Sequence, residues 1–183
     1  MFDGVYEPFR ERLLDALPTI EPQPVVSRES MERILEAIAR ATEAGATVLG
    51  GGARSDRPGW FVSPTVLEDV RPDAEISRAE LFGPVTVLYR AADLDGAIAL
   101  VNDSPYGLTA AIHTSSVHRA MRFAEKVEAG VVVVNAGTHG SEPHMGFGGV
   151  KDSGTGWREA GIEALDVYSD LKVVNLVVDP EQT

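Results

Sequence analysis

The sequence predicts an α/β fold: a three-layer parallel sheet with helices on both faces. Two observations carry that expectation. Helix-like and strand-like segments alternate along the chain, with helices of ten or so residues between strands, which implies right-handed crossovers. The run Val131-Val132-Val133-Val134 lacks polar alternation, so it reads as a central strand covered on both faces.

The elements follow in order. Tyr6 to Leu17 reads as a helix, with Phe9, Leu13 and Leu17 recurring every four residues and Pro18 ending it. Residues 18–26 carry three prolines and form a connector. From Ser27 to Ala44 the pattern is an amphipathic helix, because Met31, Ile34, Leu35 and Ile38 fall at i, i+3, i+4 and i+7. Ser27 suits its start, Glu29 its positive end, and Gly45 the left-handed residue after it. Ala46–Leu49 is a short strand candidate, and Gly50-Gly51-Gly52 opens a polar loop.

Trp60–Val62 and Thr65–Leu67 flank Pro64, which suits an edge or irregular strand. Val85–Tyr89 is β-branched and apolar, hence a strand. Asp93 starts a helix with Leu94, Ala97, Ile98 and Val101 on one face, and Asn102-Asp103-Ser104-Pro105 stops it. Leu108–His113 is the next strand. Ser116 starts a helix whose apolar set is Val117, Ala120, Met121, Ala124 and Val127, and Gly130 ends it. After the valine strand, residues 136–157 form a glycine-rich loop. A short helix near Arg158–Leu165 leads to a final strand at Lys172–Val178.

A chain of 183 residues with 44% hydrophobic and 24% charged residues is globular and long enough to bury a core. Sixteen Lys+Arg against 28 Asp+Glu give a formal charge of −12. That balance repels phosphate backbones and anionic lipid, so nucleic acid and membrane surfaces are not expected partners. No window approaches about 18 apolar residues, the length a membrane span requires. The first residues lack a basic stretch followed by an apolar one, so the cytoplasm is the expected compartment. The chain has no cysteine. Disulfides, thiolate metal sites and a cysteine nucleophile are excluded together.

Two features suggest chemistry and are set aside. Gly50-Gly51-Gly52 lacks the G-x-G-x-x-G spacing of a phosphate cradle and reads as a surface turn. His139 and His144 are five apart in a loop, without cysteine nearby, so no metal site is expected.

Four ordered stretches carry more. They are Gly59-Trp60-Phe61-Val62-Ser63-Pro64-Thr65-Val66, then Glu80-Leu81-Phe82-Gly83-Pro84-Val85, then Asn102-Asp103-Ser104-Pro105-Tyr106-Gly107-Leu108, then Phe147-Gly148-Gly149-Val150-Lys151-Asp152-Ser153-Gly154 with Arg158-Glu159 after it. Together, at matching intervals, they resemble the C-terminal half of the aldehyde dehydrogenase catalytic domain. Val5-Tyr6-Glu7-Pro8-Phe9 resembles that family's helix just after its nucleophile.

The resemblance implies a cysteine thiolate that attacks an aldehyde, hydride transfer to NAD or NADP, and a glutamate that activates water. It implies that the carboxylate of Glu80 holds the ribose hydroxyls beside the nicotinamide, and that Phe82 packs on the ring. It places Asn135 and Phe147 along the aldehyde tunnel. Residues 1–165 would be a partial catalytic domain, and 166–183 an oligomerisation strand and tail.

The departures shape the expectation further. The cysteine, the general-base glutamate and the cofactor-binding units would lie upstream, so the expected state is a truncated catalytic domain, inactive alone and without a catalytic residue. No NAD or NADP is expected to be bound by this chain alone. The family's G-D-P loop is missing from the connector. Gly146 stands where the family has proline, and Trp157 intervenes before Arg158-Glu159. Gly140-Ser141-Glu142-Pro143-His144 resembles the loop of bacterial semialdehyde dehydrogenases. A homo-oligomer through the last strand is expected; the alternative expectations for function are a non-catalytic pseudoenzyme or interaction or oligomerisation module, and one half of a split enzyme that meets a separate cofactor-binding polypeptide.

Overall fold

The computed structural model describes residues 1–140 and 142–177. The chain packs as two compact units, Met1–Pro105 with Val117–Val127, and Tyr106–Ser116 with Glu128–Thr183.

The first unit has helices on both faces of a three-stranded sheet. Its elements are α1 (Asp3–Ala16), α2 (Arg28–Glu43), β1 (Thr47–Gly50), β2 (Thr65–Glu68), α3 (Glu75–Arg78), β3 (Val85–Val87), α4 (Leu94–Asn102) and, after a break, α5 (Val117–Lys126). The second unit carries β4 (Tyr106–Gly107), β5 (Thr109–Ile112), β6 (Val131–Val134) and β7 (Val150–Lys151).

Successive side chains of β2 point to opposite faces. Val66 packs with Tyr6 of α1, and Leu67 packs with Met31, Ile34 and Ile38 of α2. That alternation makes the three layers expected of the fold. α2 forms as its sequence dictates: Ser27 Oγ accepts the Ser30 N–H at 3.1 Å, the apolar stripe is buried, and Gly45 sits at φ 104°. Asp93 caps α4 in the same way, accepting the Gly96 N–H at 2.8 Å.

The sheet is mixed. β1 pairs antiparallel with β2, β2 parallel with β3, and in the second unit β5 pairs parallel with β6 and β4 antiparallel with β7. The α/β class stands, and β2–β3 and β5–β6 run parallel as expected; β1–β2 and β4–β7 depart from the parallel sheet. No helix lies between β1 and β2, and a strand pair without a crossover runs antiparallel.

Four further expectations change. Val131–Val133 are half-buried and Val134 is 43% exposed, because β6 has one strand partner, β5, among the described residues. α5 buries Ala120, Phe123 and Val127 and leaves Val117 and Met121 outside; the core follows the i, i+3, i+7 row rather than the row through Val117 and Met121. In place of a helix near Arg158–Leu165 there is a 3₁₀ turn, Ile162–Asp166, with no buried residue. Residues 172–177 form no strand, and Val178 lies outside the described residues. A strand needs a backbone to pair with, and among the described residues these meet none; Val173, Val174, Leu176 and Val177 are all about four-fifths exposed. Among the described residues no helix is long and apolar enough to cross a membrane.

Candidate functional site

The four site residues fall into two pairs, one in each unit: Glu80 and Phe82 in the first, Asn135 and Phe147 in the second.

Glu80 and Phe82 sit on the loop between α3 and β3, and that loop is fixed from several directions. Arg40 of α2 grips Glu75 of α3 at two points, 2.9 and 3.1 Å, just before the loop. Leu81 is buried in the core beside α2. The Arg33 guanidinium of α2 donates to the Leu81 carbonyl at 3.1 Å. A Cβ on Gly83 would stand 2.5 Å from Ile34 Cδ1, so any larger residue would have to displace the end of that side chain for the loop to lie this close to α2. At the far end, the Thr65 N–H donates to the Pro84 carbonyl at 2.8 Å.

The consequence is local. Phe82 is held at φ 53°, a left-handed conformation that costs an aromatic residue free energy. Its ring is 75% exposed, and the Glu80 carboxylate is also exposed. A solvent-facing aromatic ring and an acceptor-only carboxylate lie two residues apart on a rigid loop. That combination suits a flat ring carrying a sugar diol.

In the second unit Asn135 follows β6 at φ 60°. Its Oδ1 accepts the Thr114 N–H at 2.7 Å, and its Nδ2 donates to the Thr114 carbonyl at 2.9 Å. The side-chain amide thus bonds both backbone polar groups of Thr114 and ties off the end of β5–β6. Each amide atom keeps one further hydrogen-bonding position. Phe147 pairs through its backbone with Glu159, each N–H donating to the other carbonyl at 2.7 Å. Backbone meets backbone beside it: a Cβ on Gly130 would fall 1.8 Å from the Gly148 carbonyl oxygen.

Motif reading missed two sets of residues. One is Arg33, whose contact depends on how α2 lies on the loop. The other is a charged cluster at α1. There the Tyr6 hydroxyl donates to Glu68 Oε2 at 3.0 Å, Arg10 makes a two-point contact with the same carboxylate, and the Arg90 guanidinium stacks 3.6 Å from the Tyr6 ring centre. Burial, then the bond to Glu68, pushes the Tyr6 phenol above its ordinary value. Charge patterns along the sequence carry no signal for contacts between residues 58 or 62 positions apart.

Among the described residues no group of three or more His, Cys, Asp or Glu side chains comes together as a metal site. An open, mainly apolar cleft of about 450 Å³ lies in the first unit, lined by Val87, Tyr89, Leu100 and Val101 among others.

The family model described as "Aldehyde dehydrogenase family" matches residues 3–174. Among curated proteins, the chain is 42% identical to a mitochondrial aldehyde dehydrogenase of Leishmania tarentolae over 152 residues, covering 83% of this chain and 30% of that protein. It is 40% identical to an alpha-ketoglutarate semialdehyde dehydrogenase of Haloferax volcanii, covering 94% of this chain and 38% of that protein. A succinate-semialdehyde dehydrogenase [NADP(+)] of Deinococcus radiodurans is 39% identical, with the same coverage of 94% and 38%. Two solved structures agree: a lactaldehyde dehydrogenase (TM-score 0.90, 30% identity, 96% of this chain and 39% of that one) and the NAD+ complex of an aldehyde dehydrogenase from Bacillus cereus (TM-score 0.87, 34% identity, 93% and 37%). The chain spans about a third of the length of the curated relatives it matches.

Proposed function

The chain belongs to the aldehyde dehydrogenase family, and from that premise we propose that it forms part of an NAD(P)-dependent enzyme that oxidises an aldehyde or semialdehyde to the acid. In this reading residues 1–165 are a partial catalytic domain, and 166–183 an oligomerisation strand and tail. Glu80 accepts hydrogen bonds from the ribose hydroxyls of the cofactor, and Phe82 packs on its ring. Asn135 and Phe147 line the path of the aldehyde. The semialdehyde class is supported by the names of two relatives.

These 183 residues do not perform the oxidation by themselves. The observation that carries this is a family member without a single cysteine. The family's chemistry begins when a thiolate adds to the aldehyde carbon, making a tetrahedral alkoxide that expels hydride. The nicotinamide, when bound, takes up that hydride. What this chain contributes is position: a rigid loop presents a carboxylate and a ring, and the end of β6 presents an amide already anchored at Thr114.

The test is an assay of the purified chain with a panel of aldehydes and with NAD or NADP, read by the absorbance of reduced nicotinamide. No aldehyde-dependent signal is expected. Turnover above background would remove the claim of inactivity. Adding a separate polypeptide that carries the cysteine and the dinucleotide-binding units would restore turnover if the chain is half of a split enzyme.

A second reading treats the chain as a non-catalytic module that assembles through residues 172–177. Their exposed valines and leucine favour it. Light scattering tests the assembly: a defined oligomer supports it, and a clean monomer argues against it.

A further inference from the structure

We draw no further inference here: the strongest candidate, the open and mainly apolar cleft of the first unit beside β3 and α4, lined by Val87, Tyr89, Leu100 and Val101 among others, carries nothing because nothing in the structure shows what covers it.

Discussion

Arg10 and Glu68 meet in a two-point ion pair, Nε to Oε2 and Nη2 to Oε1, each at 3.0 Å. Arg10 lies on α1 and Glu68 at the end of β2, so the pair ties the first helix to the sheet. With side chains 28% and 17% exposed, the pair is shielded enough to contribute to stability, unlike the chain's surface pairs. The Arg10 hydrogen bonds hold the Glu68 carboxyl below the usual carboxylate range; burial opposes them, and the Tyr6 hydroxyl assists.

A depressed carboxylate pKa means that the unfolded chain binds the proton more readily than the folded one. The stability from Glu68 is therefore complete above its unfolded pKa near 4.5 and is lost as pH falls through the lower folded value. Glu68→Gln should cost about 1–3 kcal/mol at neutral pH, since Arg10 then loses its charged partner. Denaturant unfolding across the acid range checks it: the variant should lose less stability than wild type as the pH drops below the usual carboxylate range. Parallel acid profiles for the two proteins would show that this pair does not set the acid limit.

The Phe82 backbone makes a second prediction. Asparagine tolerates φ near 53° better than phenylalanine, and a 75% exposed ring contributes little burial. Phe82→Asn should therefore keep or raise stability, by up to about 1 kcal/mol. Phe82→Val should lower it by a comparable amount, because a β-branched residue is strained there. Paired thermal melts decide the matter. The same Phe82→Asn change should abolish cofactor packing in any assembled enzyme, separating the loop's binding role from its folding.

Glycines next to the two candidate sites should differ in what they tolerate. Gly83→Ala would press on Ile34 Cδ1, the end of a side chain, at 2.5 Å. It should cost about 1–3 kcal/mol, and Ile34→Val, which removes that methyl group, should recover part of the loss in the double variant. Gly130→Ala would press on the Gly148 backbone oxygen at 1.8 Å, where no side chain can give way. Its loss should exceed about 4 kcal/mol. Comparable melts for the two alanine variants would contradict this ordering.

The sequence made some elements readable and hid others, for physical reasons. α2 was legible because its cap, dipole charge, stripe and terminating glycine all point the same way. The Glu80–Pro84 loop was legible as a motif, but the hold that Arg33 and Ile34 have on it was not, since such contacts depend on how α2 docks. The valine run predicted a strand correctly but not the cover on both faces. The described residues leave β6 half-covered because covering it takes a second neighbouring strand or helix. In α5 the apolar set read from the sequence included Val117 and Met121, whereas packing buried the row through Phe123.

The last prediction concerns residues 172–177. Val173, Val174, Leu176 and Val177 expose nearly their full side chains, and their backbone pairs with no strand among the described residues. An apolar segment outside any strand ladder is drawn to another backbone, because pairing satisfies the polar groups and covers the side chains at once. The purified chain should therefore associate, with an apparent mass in light scattering that rises with concentration to a defined oligomer. Val174→Lys with Leu176→Lys should return it to a monomer, because charge at these positions would have to be desolvated on pairing. The melting temperature of the monomer should be unchanged, since nothing in this segment is buried. Wild-type chain that remains monomeric at every concentration tested would show that 172–177 alone is an insufficient interface.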